Sequence, residues 1–183
     1  MRTEDRECRL KDGRRAVLRN ARESDAEAML ELLRVTAGET DYLMRTPEEW
    51  GRFTLEGERA HIAQTNESDI ELMLVCETDG RLAGCASLMM NRRVKTRHRA
   101  EVAISNLRAF WGQGIGTELL RALIGAAREN PDVRQVELEV VEGNDRARAL
   151  YEKLGFRLAG IHPNAMRMRD GSLRALYLMI LEI

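Results

Sequence analysis

Three glycines stand close together where a predicted strand gives way to a predicted helix. Gly112, Gly114 and Gly116 follow the strand predicted at residues 100–107, and apolar residues at helical spacing come directly after them. Glycine lets the backbone approach an anion closely, and the first N–H groups of a helix point at that anion with the positive end of the helix dipole behind them. Such a turn has the geometry that binds phosphate, but the glycine spacing alone is a weak signal, because an ordinary tight strand-to-helix turn can carry the same glycines.

Two better-known phosphate loops do not fit this stretch. A nucleoside-triphosphate loop ends in a Lys-Ser or Lys-Thr pair, and no such pair follows Gly116. The dinucleotide fingerprint G-x-G-x-x-G lies near the first strand of a βαβ unit, whereas this stretch has a shorter spacing and lies past the middle of the chain. The sequence thus excludes both of these nucleotide-binding classes.

The composition indicates a soluble globular chain and excludes several classes of partner. Hydrophobic residues make up 44% of the 183 residues and charged residues 32%, and this length suits a single domain over residues 1–183. The net charge of −1 gives no electrostatic reason to expect nucleic acid or a membrane as a partner. No apolar run approaches the roughly 20 residues of a membrane span, and the charged N-terminus lacks the apolar core of a secretory signal.

The three cysteines, Cys8, Cys76 and Cys85, favour a reducing compartment. Their number is odd and none has CxxC spacing, so the sequence predicts neither a disulfide framework nor a cysteine metal site. The His, Asp and Glu residues also lack metal-ligand spacing. We therefore predict a cytoplasmic protein that needs no metal.

The elements around the glycine turn form a predicted strand–helix–strand unit. Residues 100–107 and the alternating residues 133–141 lie on either side of one helix, so we expect these two strands to be parallel and adjacent. Asn144 is placed to cap a further helix that ends at Gly155.

The rest of the chain predicts two hairpins and further helices. An Asp-Gly turn joins the strands at residues 70–77 and 82–90, and a second Asp-Gly turn predicts a C-terminal hairpin over residues 156–181. Thr46 is a strong helix start because proline follows it and a glutamate comes three residues later. We expect that helix to run to about residue 64.

Two motifs in the second half of the chain resemble a known family. The run Phe-Trp-Gly-Gln-Gly-Ile-Gly at residues 110–116, followed by Asn-Asp-Arg-Ala-Arg-Ala-Leu-Tyr-Glu-Lys-Leu-Gly-Phe at residues 144–156, resembles the GCN5-related N-acetyltransferases (GNAT). The strong match covers residues 99–156, and the N-terminal half resembles one bacterial branch of the family more loosely. The resemblance implies an α/β fold with a mixed, mostly antiparallel seven-stranded sheet and helices on both faces.

The resemblance also implies acetyl-CoA as the cosubstrate, bound where two parallel strands splay apart. The pantetheine arm would pair with the backbone at the end of the first strand, and the pyrophosphate would rest on N–H groups of residues 112–117. The cofactor-binding residues that the resemblance implies are Ser105, Asn106, Leu107, Gly112, Gln113, Gly114, Ile115, Gly116, Thr117 and Asn144.

The chain departs from the family pattern at three positions. Trp111 stands where the family usually has Arg or Gln, so a side-chain contact to phosphate at that position is not carried over. Leu173 and Ala175 stand at the tyrosine and aspartate positions of a Gly-x-Tyr-x-Asp pattern near the C-terminus. Backbone amides are left to hold the phosphate.

Acetyl transfer to an amine needs a neutral amine, donors for the oxyanion and a proton for the departing thiolate. Tyr151 is the candidate general acid: it lies two helical turns after Asn144, and the resemblance implies that its hydroxyl points at the coenzyme sulfur. Packing in the stripe of Leu150 and Leu154 is the alternative role for this tyrosine. Both roles remain open from the sequence.

Glu101 is the candidate general base, acting directly or through water. It lies on the predicted central strand, on the same alternating face as Ala103 and Ser105. An ordinary charged residue at a strand end is the alternative, and His98 is a weaker second candidate for the base. We assign catalytic roles to Tyr151 and Glu101.

These features predict an N-acetyltransferase that acts on a primary amine by direct attack in a ternary complex. A small-molecule acceptor such as a polyamine or an amino acid is favoured, with a protein N-terminus or lysine as the alternative. An acyl-CoA-binding sensor without turnover is the alternative of another class, and a homodimer through the C-terminal hairpin is plausible. We expect the first two helices, at about residues 25–64, and the C-terminal hairpin to form the acceptor wall. Six acidic residues in that wall favour a cationic acceptor weakly: Glu39, Asp41, Glu48, Glu49, Glu56 and Glu58.

Overall fold

One mixed sheet of eight strands organises the fold, and the computed structural model describes all residues from 1 to 183. The strands are β1 (Arg6–Arg9), β2 (Arg15–Asn20), β3 (Glu71–Thr78), β4 (Arg81–Met90), β5 (Arg99–Asn106), β6 (Gln135–Val141), β7 (Arg157–Arg167) and β8 (Leu173–Glu182). The α-helices are α1 (Ala26–Glu39), α2 (Pro47–Trp50), α3 (Leu55–Glu67), α4 (Ile115–Glu129) and α5 (Asp145–Lys153). The strand order is β1-β2-β3-β4-β5-β6-β8-β7.

The mixed, mostly antiparallel sheet is confirmed, but the prediction of seven strands was wrong by one. The additional strand, β1, pairs antiparallel with β2 along the sheet edge, from Arg6 opposite Leu18 to Arg9 opposite Arg15. Its sequence, Arg-Glu-Cys-Arg, has no apolar alternation, and its side chains are largely exposed. Backbone pairing with the free edge of β2 forms this strand, and a hydrophobic pattern does not reveal such a strand.

The predicted strand–helix–strand unit is confirmed, and its two strands separate soon after they pair. β5 and β6 are parallel, but they pair only from Arg99 opposite Gln135 to Glu101 opposite Glu137. On its other side, β5 pairs with β4 as far as Asn106. Because alternate backbone groups of a strand point to opposite neighbours, the later residues of β5 leave N–H and C=O groups facing an open gap.

The sheet carries a hydrophobic core on each face. On one face, the α4/α5 face, leucines of α4 pack with Val102 of β5 and with Tyr151 of α5. On the opposite face, the α1/α3 face, Met29 of α1 and Ile62 of α3 pack on Val75 and Cys85 of the sheet. Since Cys85 pairs with Ser105, the residues Glu101, Ala103 and Ser105 point to the α1/α3 face.

The single helix predicted from residue 46 to about 64 is in fact two helices. Thr46 caps α2 as expected, because its hydroxyl accepts from the Glu49 N–H at 3.3 Å and Glu49 reaches back to the Thr46 N–H at 2.8 Å. A second threonine, Thr54, accepts from the Gly57 N–H at 3.0 Å and begins α3. The chain turns between these two caps, and Phe53 packs against Trp50 with 4.9 Å between ring centroids.

None of the helices combines the length and the apolar character that a membrane span requires.

Candidate active site

A cavity of about 1560 Å³ occupies the gap between β5 and β6 and is lined by residues from both faces of the sheet. On the α4/α5 face it is bounded by the glycine turn and by α5, and on the α1/α3 face by α1, α3 and the segment between α1 and α2. Pockets for one drug-sized ligand are typically about 300–1,000 Å³. The cavity therefore has room for two substrates that approach from opposite faces.

The glycine turn presents a group of free N–H donors to this cavity. Gly112 and Gly114 have φ angles of 79° and 96°, which disfavour other residues, and no atom lies within 4 Å of a Cβ placed on either one. The first helical bond of α4 runs from the Glu118 N–H to the Gly114 carbonyl at 3.1 Å. The backbone N–H groups with no protein acceptor are those of Gly112, Gly114, Ile115, Gly116 and Thr117. This arrangement can bind an anion at the positive end of α4.

Two glycines on neighbouring elements leave room for the Asn106 side chain at the end of β5. A Cβ on Gly116 would lie 3.3 Å from Asn106 Nδ2 and 3.0 Å from Leu150, and a Cβ on Gly84 of β4 would overlap Asn106 Oδ1. The sequence does not distinguish Gly84 from other glycines, although an isolated glycine inside a strand often marks a close approach. Asn106 and Ser105 both line the cavity as expected.

Two of the residues that the family resemblance implied for cofactor binding have side chains outside the cavity lining. The Gln113 side chain accepts from the Asp12 N–H at 3.1 Å, and its carbonyl accepts from the Lys11 N–H at 3.2 Å. Leu107 donates its N–H to the Ala83 carbonyl at 3.0 Å. Gln113 therefore fastens the turn to the β1–β2 connection rather than facing the free N–H groups.

Trp111 places two guanidinium groups beside the glycine turn. Its indole N–H donates to the Asn106 carbonyl at 2.9 Å, which fixes the ring next to the end of β5. The guanidinium of Arg146 lies 4.3 Å from the ring centroid and that of Arg108 lies 5.3 Å from it. Arg146 lines the cavity, and burial lowers its pKa. Arg146 was not predicted as a site residue, because its only signal in the sequence is its place two residues after Asn144.

Tyr151 brings an unpaired hydroxyl into the cavity from α5. Asn144 caps that helix by accepting from the Ala147 N–H at 3.3 Å, and the Tyr151 ring packs edge-on against Phe156 at 6.1 Å. The side chain is only 7% exposed, and burial raises its pKa to about 12. The phenol therefore keeps its proton at neutral pH, and its packing role is compatible with a catalytic one.

Glu101 lines the cavity on the α1/α3 face and forms no ion pair. Its cationic neighbour Arg99 is paired with Glu137. Burial alone would raise the pKa of Glu137, but hydrogen bonds from Arg99 and Gln135 outweigh burial and lower this pKa below its usual value. Arg99 is thus engaged elsewhere, and the Glu101 carboxylate is free. His98 is not part of the cavity lining; its carbonyl accepts from two N–H groups of the neighbouring strand.

Of the six acidic residues expected in the acceptor wall, only Glu58 lines the cavity. Glu39 accepts from the Arg108 N–H at 2.7 Å, and Asp41 accepts from the Arg169 N–H at 2.8 Å, so both hold loops in place. The remaining three are exposed outside the cavity: Glu48, Glu49 and Glu56. The weak preference predicted from the six charges therefore depends on one side chain.

Comparison with known proteins identifies the family. The profile of the Acetyltransferase (GNAT) family matches residues 27–156. The chain belongs to the GNAT family. Its glycine turn, the Asn144 cap and Tyr151 all lie within the matched range, as the resemblance in the sequence implied. The matched family is one of acetyltransferases, so the cavity between β5 and β6 lies in the fold of an acetyltransferase family.

Relatives and solved structures support this GNAT assignment. The Bacillus subtilis (strain 168) protein named "Putative ribosomal N-acetyltransferase YdaF" is 32% identical over 93 residues, which are 51% of this chain and 46% of that protein. The aligned part thus spans about half the length of the curated relatives that the chain matches. A GNAT acetyltransferase from Streptococcus pneumoniae has a TM-score of 0.86 and 26% identity, with 92% of this chain and 99% of that chain covered. Mycobacterium smegmatis RimJ in complex with CoA-disulfide shares the fold with a TM-score of 0.77 and 20% identity, covering 98% of this chain and 87% of RimJ.

Proposed function

We propose that the protein is a cytoplasmic N-acetyltransferase that moves the acetyl group of acetyl-CoA to a primary amine of a small molecule by direct attack in a ternary complex. One observation carries this proposal: a single cavity passes between β5 and β6, with free N–H donors at one end and the Glu101 carboxylate at the other. Family membership supplies the reaction class. The three free cysteines agree with a reducing compartment.

The α4/α5 face supplies the groups that would bind acetyl-CoA. The free N–H groups of residues 112–117 would hold the pyrophosphate, with Arg146 as a nearby cation. Backbone groups of β5 beyond Glu101 lack a strand partner, so the pantetheine amides can pair with them as an added strand would. RimJ, which has the same fold, is a protein whose structure was solved in complex with CoA-disulfide.

The residues at the centre of the cavity would divide the proton transfers between them. Glu101 accepts the proton of the amine, directly or through a water, and the neutral nitrogen attacks the thioester carbonyl. As the new C–N bond forms and the C–S bond breaks, Tyr151 donates its proton to the departing sulfur. The nitrogen then gives up its second proton, which restores the Tyr151 phenol, and Glu101 releases the first proton to solvent. Because the pKa of Tyr151 is raised to about 12, its hydroxyl is protonated and available as a donor throughout the neutral range.

The test is release of free CoA thiol from acetyl-CoA in the presence of pooled amines: polyamines, amino acids, aminoglycosides and short peptides. We expect release above the no-amine background with one pool, and division of that pool identifies the acceptor. Mass spectrometry of the product should show an added acetyl group on nitrogen. Acetyl-CoA binding without release in any pool would contradict the proposal for small-molecule amines.

Two other functions are separated by the same assay. Similarity to a protein named as a putative ribosomal N-acetyltransferase favours a protein acceptor as the second candidate. Release only with peptides or with ribosomal protein would support that candidate. An acyl-CoA sensor would bind acetyl-CoA and release nothing with any acceptor, whereas the free Tyr151 hydroxyl and the free Glu101 carboxylate favour turnover.

The homodimer expected from the C-terminal hairpin stays a prediction. β7 forms one edge of the sheet and exposes Leu158 and Ile161, which are 44% and 57% exposed. Light scattering of the purified protein would measure its mass in solution, and a monomer mass at micromolar concentration would contradict the dimer.

A further inference from the structure

Glu58 of α3 is a buried carboxylate without a partner. The residue is 5% exposed and lines the cavity on the α1/α3 face. Other buried charged residues of the chain are paired: Arg19 binds Asp25 and Glu77, and Glu137 binds Arg99. Buried charges in proteins are almost always paired in this way, because desolvation of an isolated charge is costly. Glu58 is therefore a feature that the fold itself does not require.

The groups around Glu58 do not neutralise it. Burial raises the pKa of its carboxyl, and the exposed His61, one turn further along α3, only partly offsets this effect. The sheet beneath it contributes Cys85, whose thiol pKa is itself raised to about 12 by burial and by the charge of Glu58. The surroundings of Glu58 therefore disfavour its negative charge, and no cationic side chain lies within ion-pair distance of it.

The remaining charges of the cavity wall also favour a cation. Glu101 and Glu139 line the same cavity on the α1/α3 face and form no ion pair. The guanidinium of Arg99 is occupied by Glu137. Arg45 is stacked on the rings of Trp50 and Phe53, at 4.9 and 5.4 Å from their centroids, and not on a carboxylate. The net charge facing the acceptor side is negative.

We propose that Glu58 binds a positively charged group that the acceptor carries in addition to the amine that is acetylated, so that diamines and longer polyamines are the preferred acceptors. This inference rests on the proposed acetyltransferase function. The reacting amine must lose its proton before it attacks, so it does not supply a lasting positive charge. A second ammonium group does, and it would satisfy the buried carboxylate by a charge-assisted hydrogen bond.

The spacing of the two free carboxylates suits such an acceptor. Glu58 is near enough to Cys85 for its charge to raise the pKa of that thiol, Cys85 pairs with Ser105, and Glu101 lies four residues before Ser105 on the same strand. Four strand residues span about 13 Å. A six-carbon diamine together with the two glutamate side chains can bridge that length, with one nitrogen near Glu101 and the other near Glu58.

The experiment compares three acceptors of equal length: 1,6-diaminohexane, 6-amino-1-hexanol and 6-aminohexanoate. Each has one terminal amine, and the other end is a cation, a neutral group or an anion. We expect kcat/KM for the diamine, divided by two for its two equivalent amines, to exceed that for the amino alcohol about tenfold. The amino acid should be the poorest of the three.

Three variants assign this preference to Glu58. We expect Glu58→Gln to reduce the ratio of kcat/KM per amine, diamine over amino alcohol, to about one. The main cause should be a higher KM for the diamine, while the KM for acetyl-CoA stays unchanged. Glu58→Asp should restore part of the ratio because it retains the charge. Glu56→Gln is the matched control: it removes the same charge from an exposed site on the same helix, and the ratio should stay as in the wild type.

Binding is measured alongside turnover by calorimetric titration of the same compounds into the CoA-saturated protein. Equal affinity of the wild type for diamine and amino alcohol, or a ratio that survives in Glu58→Gln, overturns the inference. So does a diamine that neither binds nor is acetylated. If no amine pool is acetylated but the diamine binds through Glu58, the proposed function fails and the cation site stands. If a pool is acetylated but the diamine is not preferred, the proposed function stands and the cation site fails.

Discussion

The two faces of the sheet position their functional groups in different ways. On the α4/α5 face, the donor groups are fixed by local backbone geometry: positive φ angles at Gly112 and Gly114 and the cap at Asn144. On the α1/α3 face, Glu58 reaches the cavity only because α3 packs on the sheet after a break in the predicted helix. The proposed cofactor side thus depends on short motifs, whereas the proposed acceptor side depends on packing between distant segments.

The largest expected effect is on kcat and comes from removing the Tyr151 hydroxyl on the α4/α5 face, which should leave the binding of acetyl-CoA unchanged. Tyr151→Phe removes the hydroxyl but keeps the ring that packs on Phe156. We expect kcat to fall about 100-fold, since general acid catalysis contributes on that scale, with an unchanged dissociation constant for acetyl-CoA. Tyr177→Phe, on β8 outside the cavity lining, should leave both values unchanged. Wild-type kcat in Tyr151→Phe would remove the tyrosine from the mechanism.

The next effect tests whether the glycine turn binds acetyl-CoA through its backbone N–H groups. Gly114 and Gly80 both have positive φ, 96° and 72°, and a Cβ added to either would meet no atom within 4 Å, but only Gly114 lies at the cavity. We expect alanine at either position to lower the free energy of unfolding by about 1 kcal/mol. Only Gly114→Ala should also raise the KM for acetyl-CoA, by about tenfold, because it shifts N–H groups that would hold a charged phosphate. Equal acetyl-CoA kinetics in the two variants would contradict this assignment.

A smaller effect tests the stacked arginine beside that turn. Arg146→Ala should raise the KM for acetyl-CoA up to about fivefold, which is the range of a partly exposed charge interaction. The increase should shrink at high salt because salt screens such an interaction. Arg148→Ala is the matched control, since Arg148 lies on the same helix and is paired with Glu152. A salt-independent increase would indicate lost packing on Trp111 instead.

The last effect is on stability at high pH rather than on kinetics, and it involves both faces. Burial raises the pKa of the Cys76 and Cys85 thiols from 9.0 to about 12 and that of the Tyr151 phenol from 10.0 to about 12. Folding thus favours the protonated forms, so this stabilisation is present in full below about pH 9 and is lost as the pH rises toward 12. Urea unfolding at pH 8 and at pH 10.5 should show a lower free energy of unfolding at the higher pH. Tyr151→Phe should show a smaller decrease, and an increase with pH would contradict the assignment.

What could be predicted from the sequence follows the same division between the faces. Gly112, Asn144 and the parallel pair β5 and β6 were predictable because each depends on neighbours close in the chain. The hydrogen bonds of Gln113 to the β1–β2 connection were not predictable, because its partners Lys11 and Asp12 lie about 100 residues away in the chain. The eighth strand was missed for a related reason: β2 provides its edge, and the residues of β1 carry no pattern of their own.

The acceptor side shows the limit most clearly. Six acidic residues looked equivalent in the sequence, and only the fold reveals that Glu58 alone is buried at the cavity. The break between α2 and α3 has a visible cause in Thr54, but a continuous helix from Thr46 satisfies the same local pattern. Charge and capping preferences act locally, whereas burial is decided by which segments pack together.

The most direct test of the account is the initial-velocity pattern for acetyl-CoA and the amine that the pooled assay identifies. Because both substrates would occupy one cavity and react directly, double-reciprocal plots at several fixed concentrations of acetyl-CoA should intersect. Parallel lines, together with an acetylated protein after incubation with acetyl-CoA alone, would indicate a covalent ping-pong route. That result would contradict direct transfer across the gap between β5 and β6.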